Sequence, residues 1–539
     1  MRQYAFALAI LLAGCSQGIE STPQTDEAIN QENYAADGWA AKTLPEIVAA
    51  LDAGDVTSEA LVEIYIARIE RIDRNGPTLQ SVLALNPNAL ADARASDARR
   101  AAGDTLGPLD GVPVLLKDNI ESQDPMATTA GALALKDNFT GRDAPLVAGL
   151  RAQGAVILGK TNLSQWANFR SNDSMSGWSA LGGQVKNPHM LDRNPCGSSS
   201  GSGAAVAASL AAGAVGTETN GSIICPSNVN GVVGFKPTVG LVSQQYIVPI
   251  SSSQDTAGPM TKTVAGAAML LNAMATGDAN TDYVAALDAD ALGGVRIGVM
   301  NFARNENADI NALFDRAVEA MRELGAVPVA IDDFTPRAES FWDKSFDVLK
   351  YEFKATLNDY LADTPAAVES RSLDDLIAFN EAHTEIELAL FDQSIFVDSA
   401  AIGELTDDAY VTALRDVQSA TRDYGVDMLL REYEVDVLVS PSGVVAPRID
   451  PINGDVWPAW AGAGYLAAVA GYPHATVPMG TVHGLPVGVS FIGGQDDDAK
   501  ILSFAYAYEQ ASMHRVDPQY LETAEARPEL AAAMQRRGD

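Results

Sequence analysis

The sequence predicts an α/β fold, and three observations carry that prediction: short apolar runs that fit buried strands, helical-period segments between them, and one complete strand-helix-strand unit. From Thr57 the residues Leu61, Tyr65, Ile69 and Ile72 recur at helical intervals, with Glu59, Glu63, Arg68 and Arg71 on other faces. That spacing predicts an amphipathic helix against a core. Val112 to Leu116, between Gly111 and Lys117, reads as a buried strand, and Ala155 to Leu158 as another. Val295 to Met300, a helix from Ile310 to Leu324 and Val327 to Ile331 form the β-α-β unit that builds parallel sheets. From about Phe341 to Tyr433 strand alternation is missing and the pattern is helical, with Phe346, Leu349, Phe353, Leu357 and Leu361 on one stripe expected to serve packing. This helical segment, about residues 336–434, is expected to roof a substrate pocket beside the rigid sheet. Strands return at Val437 to Val439 and at Gly484 to Ser490, and no repeat of solenoid period appears.

Composition narrows the function classes. Hydrophobic residues make up 47% of 539, enough for a sizeable core, so fibrous and disordered classes are excluded. Seventy acidic against 36 basic residues leave a net charge of −34, which repels phosphate backbones and disfavours nucleic acid as a partner. Cysteine occurs only at Cys15, Cys196 and Cys225, so no disulfide framework is expected to support the fold.

The first residues read as an address. Met1 and Arg2 precede an apolar stretch from Tyr4 to Leu12, and Leu12-Ala13-Gly14-Cys15 resembles a bacterial lipobox. The stretch is half the ~20 residues needed to span a bilayer, so a transmembrane helix is not expected. The resemblance implies a signal peptide over 1–14, acylation of Cys15, and a periplasm-facing lipoprotein whose Ser16 directs it to the outer membrane. The alternative is an ordinary secretory signal with a coincidental cysteine. Residues 15–42 read as a flexible tether, 43–530 as the folded domain and 531–539 as a tail.

Two catalytic motifs match only superficially. Gly154 to Thr161 satisfies G-x-x-x-x-G-K-[ST], but Ala155-Val156-Ile157-Leu158 is a β-prone run that cannot cradle phosphate with its amides. Gly197-Ser198-Ser199-Ser200-Gly201 fits the nucleophile elbow, with Ser199 as nucleophile and His474, His483 or His514 as base. An elbow must follow a strand, yet the residues before it are polar and broken by Pro188 and Pro195. The five histidines show no metal-ligand spacing.

A stronger constellation runs from Cys196-Gly197-Ser198-Ser199-Ser200-Gly201-Ser202 through Gly216-Thr217-Glu218-Thr219-Asn220-Gly221-Ser222 to Gly231-Val232-Val233-Gly234-Phe235-Lys236-Pro237. An alanine-rich helix is expected over Ala204 to Ala212, which puts the first glycines at a helix N-terminus suited to an oxyanion. Gly107-Pro108-Leu109-Asp110-Gly111-Val112-Pro113 leading to Lys117-Asp118-Asn119, then Gly159-Lys160-Thr161-Asn162, and Asp255-Thr256-Ala257-Gly258-Pro259, support it. Together these resemble the amidase signature enzymes, with bacterial peptide amidases as the nearest group. The resemblance implies one large domain built on a central mixed, mostly parallel twisted sheet covered by helices.

The same resemblance implies a serine hydrolase with Ser222 as nucleophile, Ser198 as bridging serine and Lys117 as base, on a cis peptide bond at Gly197-Ser198. The amides of Thr219, Asn220, Gly221 and Ser222 would form the oxyanion hole, supported by Gly197 and Ser199. A lysine base must be neutral, so burial has to pull its pKa from ~10.4 to about 7 to 8, and the apolar run before Lys117 suits that desolvation. Neither a cofactor nor a metal is implied. Two departures stand out: Asn220 replaces a glycine or acid, and Ile224 stands where many relatives have arginine. Cys196 and Cys225 flank the serines, where a short disulfide or two thiols is open and buried thiols are the expected state. The expected reaction is hydrolysis of a primary carboxamide, a peptide C-terminal amide in the first instance, to acid and ammonia. The alternatives are a broader aliphatic, fatty or aryl amidase and a non-catalytic periplasmic binding module.

Overall fold

A computed structural model describes residues 34–276 and 281–535. Its strands in chain order are β1 (Val82–Leu85), β2 (Pro113–Lys117), β3 (Val156–Thr161), β4 (Trp178–Ser179), β5 (Gly183–Gln184), β6 (Gly213–Glu218) and β7 (Val233–Lys236). They continue with β8 (Thr256–Thr261), β9 (Arg296–Met300), β10 (Val327–Ile331), β11 (Val437–Pro441), β12 (His474–Val482) and β13 (Leu485–Ile492). Eleven of them form one sheet in the order β1-β3-β2-β6-β8-β7-β12-β13-β11-β9-β10, while β4 and β5 pair separately.

The mixed sheet expected from the sequence is present, but its balance differs. Parallel pairing is confined to β3-β2-β6 and to β11-β9-β10. The remaining six neighbour pairs among the described residues are antiparallel. The physical reason is connection length. The unit β9, helix Ala308–Glu323, β10 crosses over and returns parallel, whereas β12 and β13 are joined by a two-residue turn that permits only antiparallel return. That turn is His483 and Gly484, both at positive φ (+49° and +80°), as the primed hairpin turns require. The mostly parallel sheet that the resemblance implied is thus corrected to a mixed sheet with more antiparallel than parallel pairs.

Central strands β2, β3 and β6 are buried along their whole length. A strand covered on both faces reads as a continuous apolar run rather than an alternating one, which is why β2 was visible in the sequence. It also means that the last residue of β2, Lys117, is carried into the interior. Over the sheet lies the helical region, whose helix Phe341–Ala362 buries Phe353, Leu357 and Leu361 against Trp166, Phe169, Ile395 and Phe396. A fully buried ion pair, Arg170 with Glu387 at 3.3 Å, ties this region to the sheet side.

Residues before 43 are already packed into the fold. Helix Gly38–Ala41 buries Ala40, the Arg68 guanidinium donates to the carbonyls of Tyr34 and Ala35, and Lys262 Nζ donates to the carbonyls of Ala40 (2.7 Å) and Lys42 (3.0 Å). Thr43 then caps helix Leu44–Ala53 through a capping box with Glu46. The end of the expected tether is thus held by buried cations that need carbonyl partners. At the other end, residues 531–534 belong to helix Pro528–Met534 rather than to a tail. The signal peptide and Cys15 lie outside the described residues, and among those described no helix is long and apolar enough to cross a membrane.

Candidate active site

Pairing of β2 with β6 through Leu116 and Val215 sets Lys117 beside Gly216 and Thr217. The serine-rich loop enters from the other side and runs into helix Ser200–Ala207. This helix starts at Ser200 rather than Ala204 and stops at Ala207, because Ser209 takes a left-handed φ of +59° that no helix accommodates. Two glycines in the loop are there for space. A Cβ on Gly197 would lie 2.1 Å from Ser164 Oγ, and one on Gly201 would lie 2.3 Å from the Asn162 carbonyl oxygen.

These elements bring Lys117 and Ser198 together. Both are fully buried, and Lys117 Nζ donates to Ser198 Oγ at 2.7 Å, to Thr217 Oγ1 at 2.8 Å and to the Thr217 carbonyl at 3.2 Å. Thr217 Oγ1 also accepts from Asn119 Nδ2 at 2.9 Å. The peptide bond into Ser198 is cis. Ser199 is not a free hydroxyl: its Oγ donates to the Thr217 carbonyl at 3.0 Å and accepts from Thr217 N at 3.2 Å. Its amide donates to the Ser222 carbonyl at 3.1 Å, which ties the two serine segments to each other.

The turn carrying Ser222 is held by carboxylates. Glu218 Oε2 accepts from the amides of Ile223 (2.7 Å) and Ile224 (3.0 Å), at the start of helix Ile224–Asn230. Thr219 Oγ1 donates to Asp255 Oδ1 at 2.6 Å, and Asp255 Oδ2 accepts from the amides of Ile250 and Ser251. Gly221 sits at φ +83°, a left-handed backbone that glycine adopts without penalty. The amides of Asn220, Gly221 and Ser222 are bound by no acceptor among the described residues. Burial lowers the Lys117 pKa to about 7, with Asp255 and Glu218 opposing that shift through their charge. Burial likewise raises Asp255 to about 6, opposed by its hydrogen bonds.

Above this cluster opens a cavity of about 670 Å³. On the side of the two serine segments it is lined by Gly197, Glu218, Asn220, Gly221, Ile224 and the two cysteines, and its other walls carry Trp342, Phe346, Trp457, Trp460 and Tyr465. Trp342, Phe346 and Ile395 come from the helical region above the sheet.

Cys196 and Cys225 form a disulfide with Cα atoms 5.9 Å apart, which corrects the expectation of two buried thiols. The reason is tertiary: the loop before Ser198 and the first turn after Ser222 are packed against each other, within the distance a disulfide spans. Both superficial motifs are disposed of by position. Val156–Thr161 is strand β3, and Lys160 Nζ is spent on the Ile120 carbonyl and Thr128 Oγ1. Of the histidines, only His474 reaches the cavity wall, where burial pushes its pKa down to about 3 and Nε2 pairs with Ser490 Oγ at 2.6 Å.

Sequence reasoning had not assigned Thr217, Asn119, Asp255 or the aromatic walls. Thr217, Asn119 and Asp255 stand inside the segments 216–222, 117–119 and 255–259 that carry the family resemblance, so their neighbours were a signal. Nothing local marks Trp342, Trp457 or Trp460.

Comparison with known proteins follows the same lines. Residues 60–502 match the family model described as Amidase. A probable amidase of Arabidopsis thaliana is 36% identical over 501 residues, covering 89% of this chain and 91% of its own. The native peptide amidase of Stenotrophomonas maltophilia superposes with a TM-score of 0.84 at 45% identity, covering 89% of this chain and 99% of that one. A peptide amidase structure in complex with the competitive inhibitor chymostatin gives 0.85 at 46%, with coverage of 89% and 99%.

Proposed function

The chain belongs to the amidase family and is an amide-hydrolysing enzyme, and from that premise we propose that it cleaves the primary carboxamide at a peptide C-terminus, releasing ammonia and the carboxylic acid. Likeness to the solved peptide amidases supports the substrate class. The observation that carries the mechanism is a buried lysine, with a pKa of about 7, 2.7 Å from the hydroxyl of Ser198.

At neutral pH much of Lys117 is uncharged, and its lone pair can take the Ser198 proton while Ser198 takes that of Ser222. The Ser222 oxygen attacks the amide carbonyl, and the charge that develops on the carbonyl oxygen is met by the amides of the Thr219 to Ser222 turn. Because these donors are fixed by Glu218 and Asp255, no reorganisation is needed as the charge appears. Lys117, now protonated, returns the proton through Ser198 to the nitrogen, and ammonia leaves. Water follows the same relay in reverse to release the acid and restore Ser222. Thr217 Oγ1 and its carbonyl hold Lys117 Nζ in line throughout. The lining residues include no lysine or arginine, so the carboxylate product finds no cation to retain it.

Purified protein given peptide amides, fatty amides and aryl amides in parallel tests the reading by ammonia release. Peptide amides should be turned over first; faster release from fatty or aryl amides would replace the substrate class, and none from any would favour a binding module. We also propose export and acylation at Cys15, on the strength of Leu12-Ala13-Gly14-Cys15. Mass spectrometry of membrane-extracted protein should find a lipid-modified cysteine at the mature N-terminus; an unmodified terminus would reduce the segment to a secretory signal.

A further inference from the structure

Large apolar side chains that stay exposed in a folded protein mark contact surfaces when they gather at one cavity. Trp342 is 60% exposed and Trp460 46%, and both line the mouth of the active-site cavity from opposite parts of the chain. Trp342 stands at the start of helix Phe341–Ala362 and packs at a tilt of 59° against Tyr465, with ring centroids 4.9 Å apart. Trp460 packs edge-on against Trp457 at 5.9 Å, and Trp457 packs on the apolar cluster of Cys196, Cys225, Val229 and Ala446, which holds the disulfide that joins the serine segments.

Trp457 and Trp460 belong to an irregular stretch after β11, and that stretch is pinned. Asp455 accepts from Asn194 Nδ2 at 2.7 Å and from the Ser176 amide at 3.0 Å. Asn305 Nδ2 donates to the Ala459 carbonyl at 2.8 Å, and Gly462 N to the Ala303 carbonyl at 2.7 Å. The backbone that carries Trp457 and Trp460 is therefore held in place before any ligand arrives, so binding need not order this stretch of chain. Solvent-facing tryptophans held rigid over a catalytic cavity gain nothing for the fold from their exposed faces. A flat apolar ligand group gains from them by stacking.

We infer that Trp342 and Trp460 are specificity determinants, and that the preferred substrate is a peptide amide bearing an aromatic or large apolar side chain next to the scissile amide. This rests on the amidase reading given above. The charge of the cavity points the same way: Glu218 and Asp455 line it without a lysine or arginine, so an acidic side chain on the substrate has no partner there.

Binding separates this inference from catalysis. Calorimetric titration of the Ser222→Ala protein with N-acetyl-phenylalaninamide, N-acetyl-alaninamide and the aspartyl counterpart should rank them in that order, with phenylalanine at least ~10-fold ahead of alanine. Adding Trp342→Ala or Trp460→Ala should shrink that preference by ~5-fold each, the scale of an aromatic pair, while Trp→Phe at either position keeps most of it. Circular dichroism of each variant establishes folding, and the Phe forms carry the test if an Ala form fails to fold. Equal affinity for the three amides, or a preference untouched by either Ala substitution, overturns the inference. Preferential binding of aromatic amides by a wild-type protein that releases no ammonia from any of them would instead sink the amidase reading and leave the pocket assignment standing.

Discussion

Replacing Lys117 by Met removes the one buried amine on which the proposed relay depends, and its effect can be worked from the structure. An ordinary lysine titrates at 10.5 and this one at about 7. At ~1.4 kcal/mol per tenfold change, the folded surroundings disfavour the ammonium by ~5 kcal/mol. Between those two pH values the unfolded chain binds a proton that the native protein does not, so native stability from this group rises with pH across the window. Below about 7 both states are protonated and the full penalty is present. Lys117→Met abolishes it but also gives up the bonds to Ser198 and Thr217, worth ~1 kcal/mol each. The variant should therefore be the more stable protein by ~2–3 kcal/mol near pH 6, and the advantage should vanish toward pH 10. Activity should move the other way. Ammonia release by the wild type should climb through about pH 7, as the base form fills, and Lys117→Met should lose ~10²- to 10⁴-fold. Denaturant titrations at several pH values alongside ammonia assays read both. A wild-type rate flat from acid to alkaline pH, or a methionine variant that still turns over, would refute the argument; Lys117→Arg should not rescue, since a guanidinium does not deprotonate.

Other expectations can be checked independently. Ser222→Ala should lose covalent labelling by a fluorophosphonate while melting close to the wild type; persistent labelling would place the nucleophile elsewhere. Breaking Cys196–Cys225, by dithiothreitol or by Ala at both positions, opens a loop with a separation of 29 residues and should cost ~3–4 kcal/mol of stability. Since the bond joins the two serine segments, kcat should fall as well, and unchanged turnover after verified reduction would deny it any positioning role. Glu387→Ala leaves the buried Arg170 without its carboxylate, with Gln165 Oε1 and the Phe391 carbonyl still accepting from it, and should destabilise by ~3–5 kcal/mol, seen as a lowered melting temperature; a shift within error would mean that these remaining partners suffice to hold the guanidinium.

Much of the site was legible in local sequence because its requirements are local. A lysine directly after five apolar residues reads as a buried strand end, and Lys117 is one. Glycines at 197 and 201 are dictated by contacts of 2.1–2.3 Å that any Cβ would make, so the Ser-Gly run announces a crowded loop rather than a linker. The strands of the β-α-β unit and the helical character of 341–433 followed from period alone. The direction of most strand pairs did not, because it depends on how far the chain travels before it returns, and pairs such as β7 with β12 are separated by more than two hundred residues.

By itself, then, the sequence determined which residue types stand where chemistry needs them: an amine behind an apolar strand, two serines among glycines, and acids within the neighbouring motifs. Tertiary structure alone decided that Thr217 holds the amine, that Cys196 meets Cys225, and that tryptophans from positions 342, 457 and 460 share one cavity. The difference is physical. Backbone geometry and desolvation act within a few residues and leave a pattern in order, whereas packing brings together side chains whose separation along the chain carries no information about their distance in space.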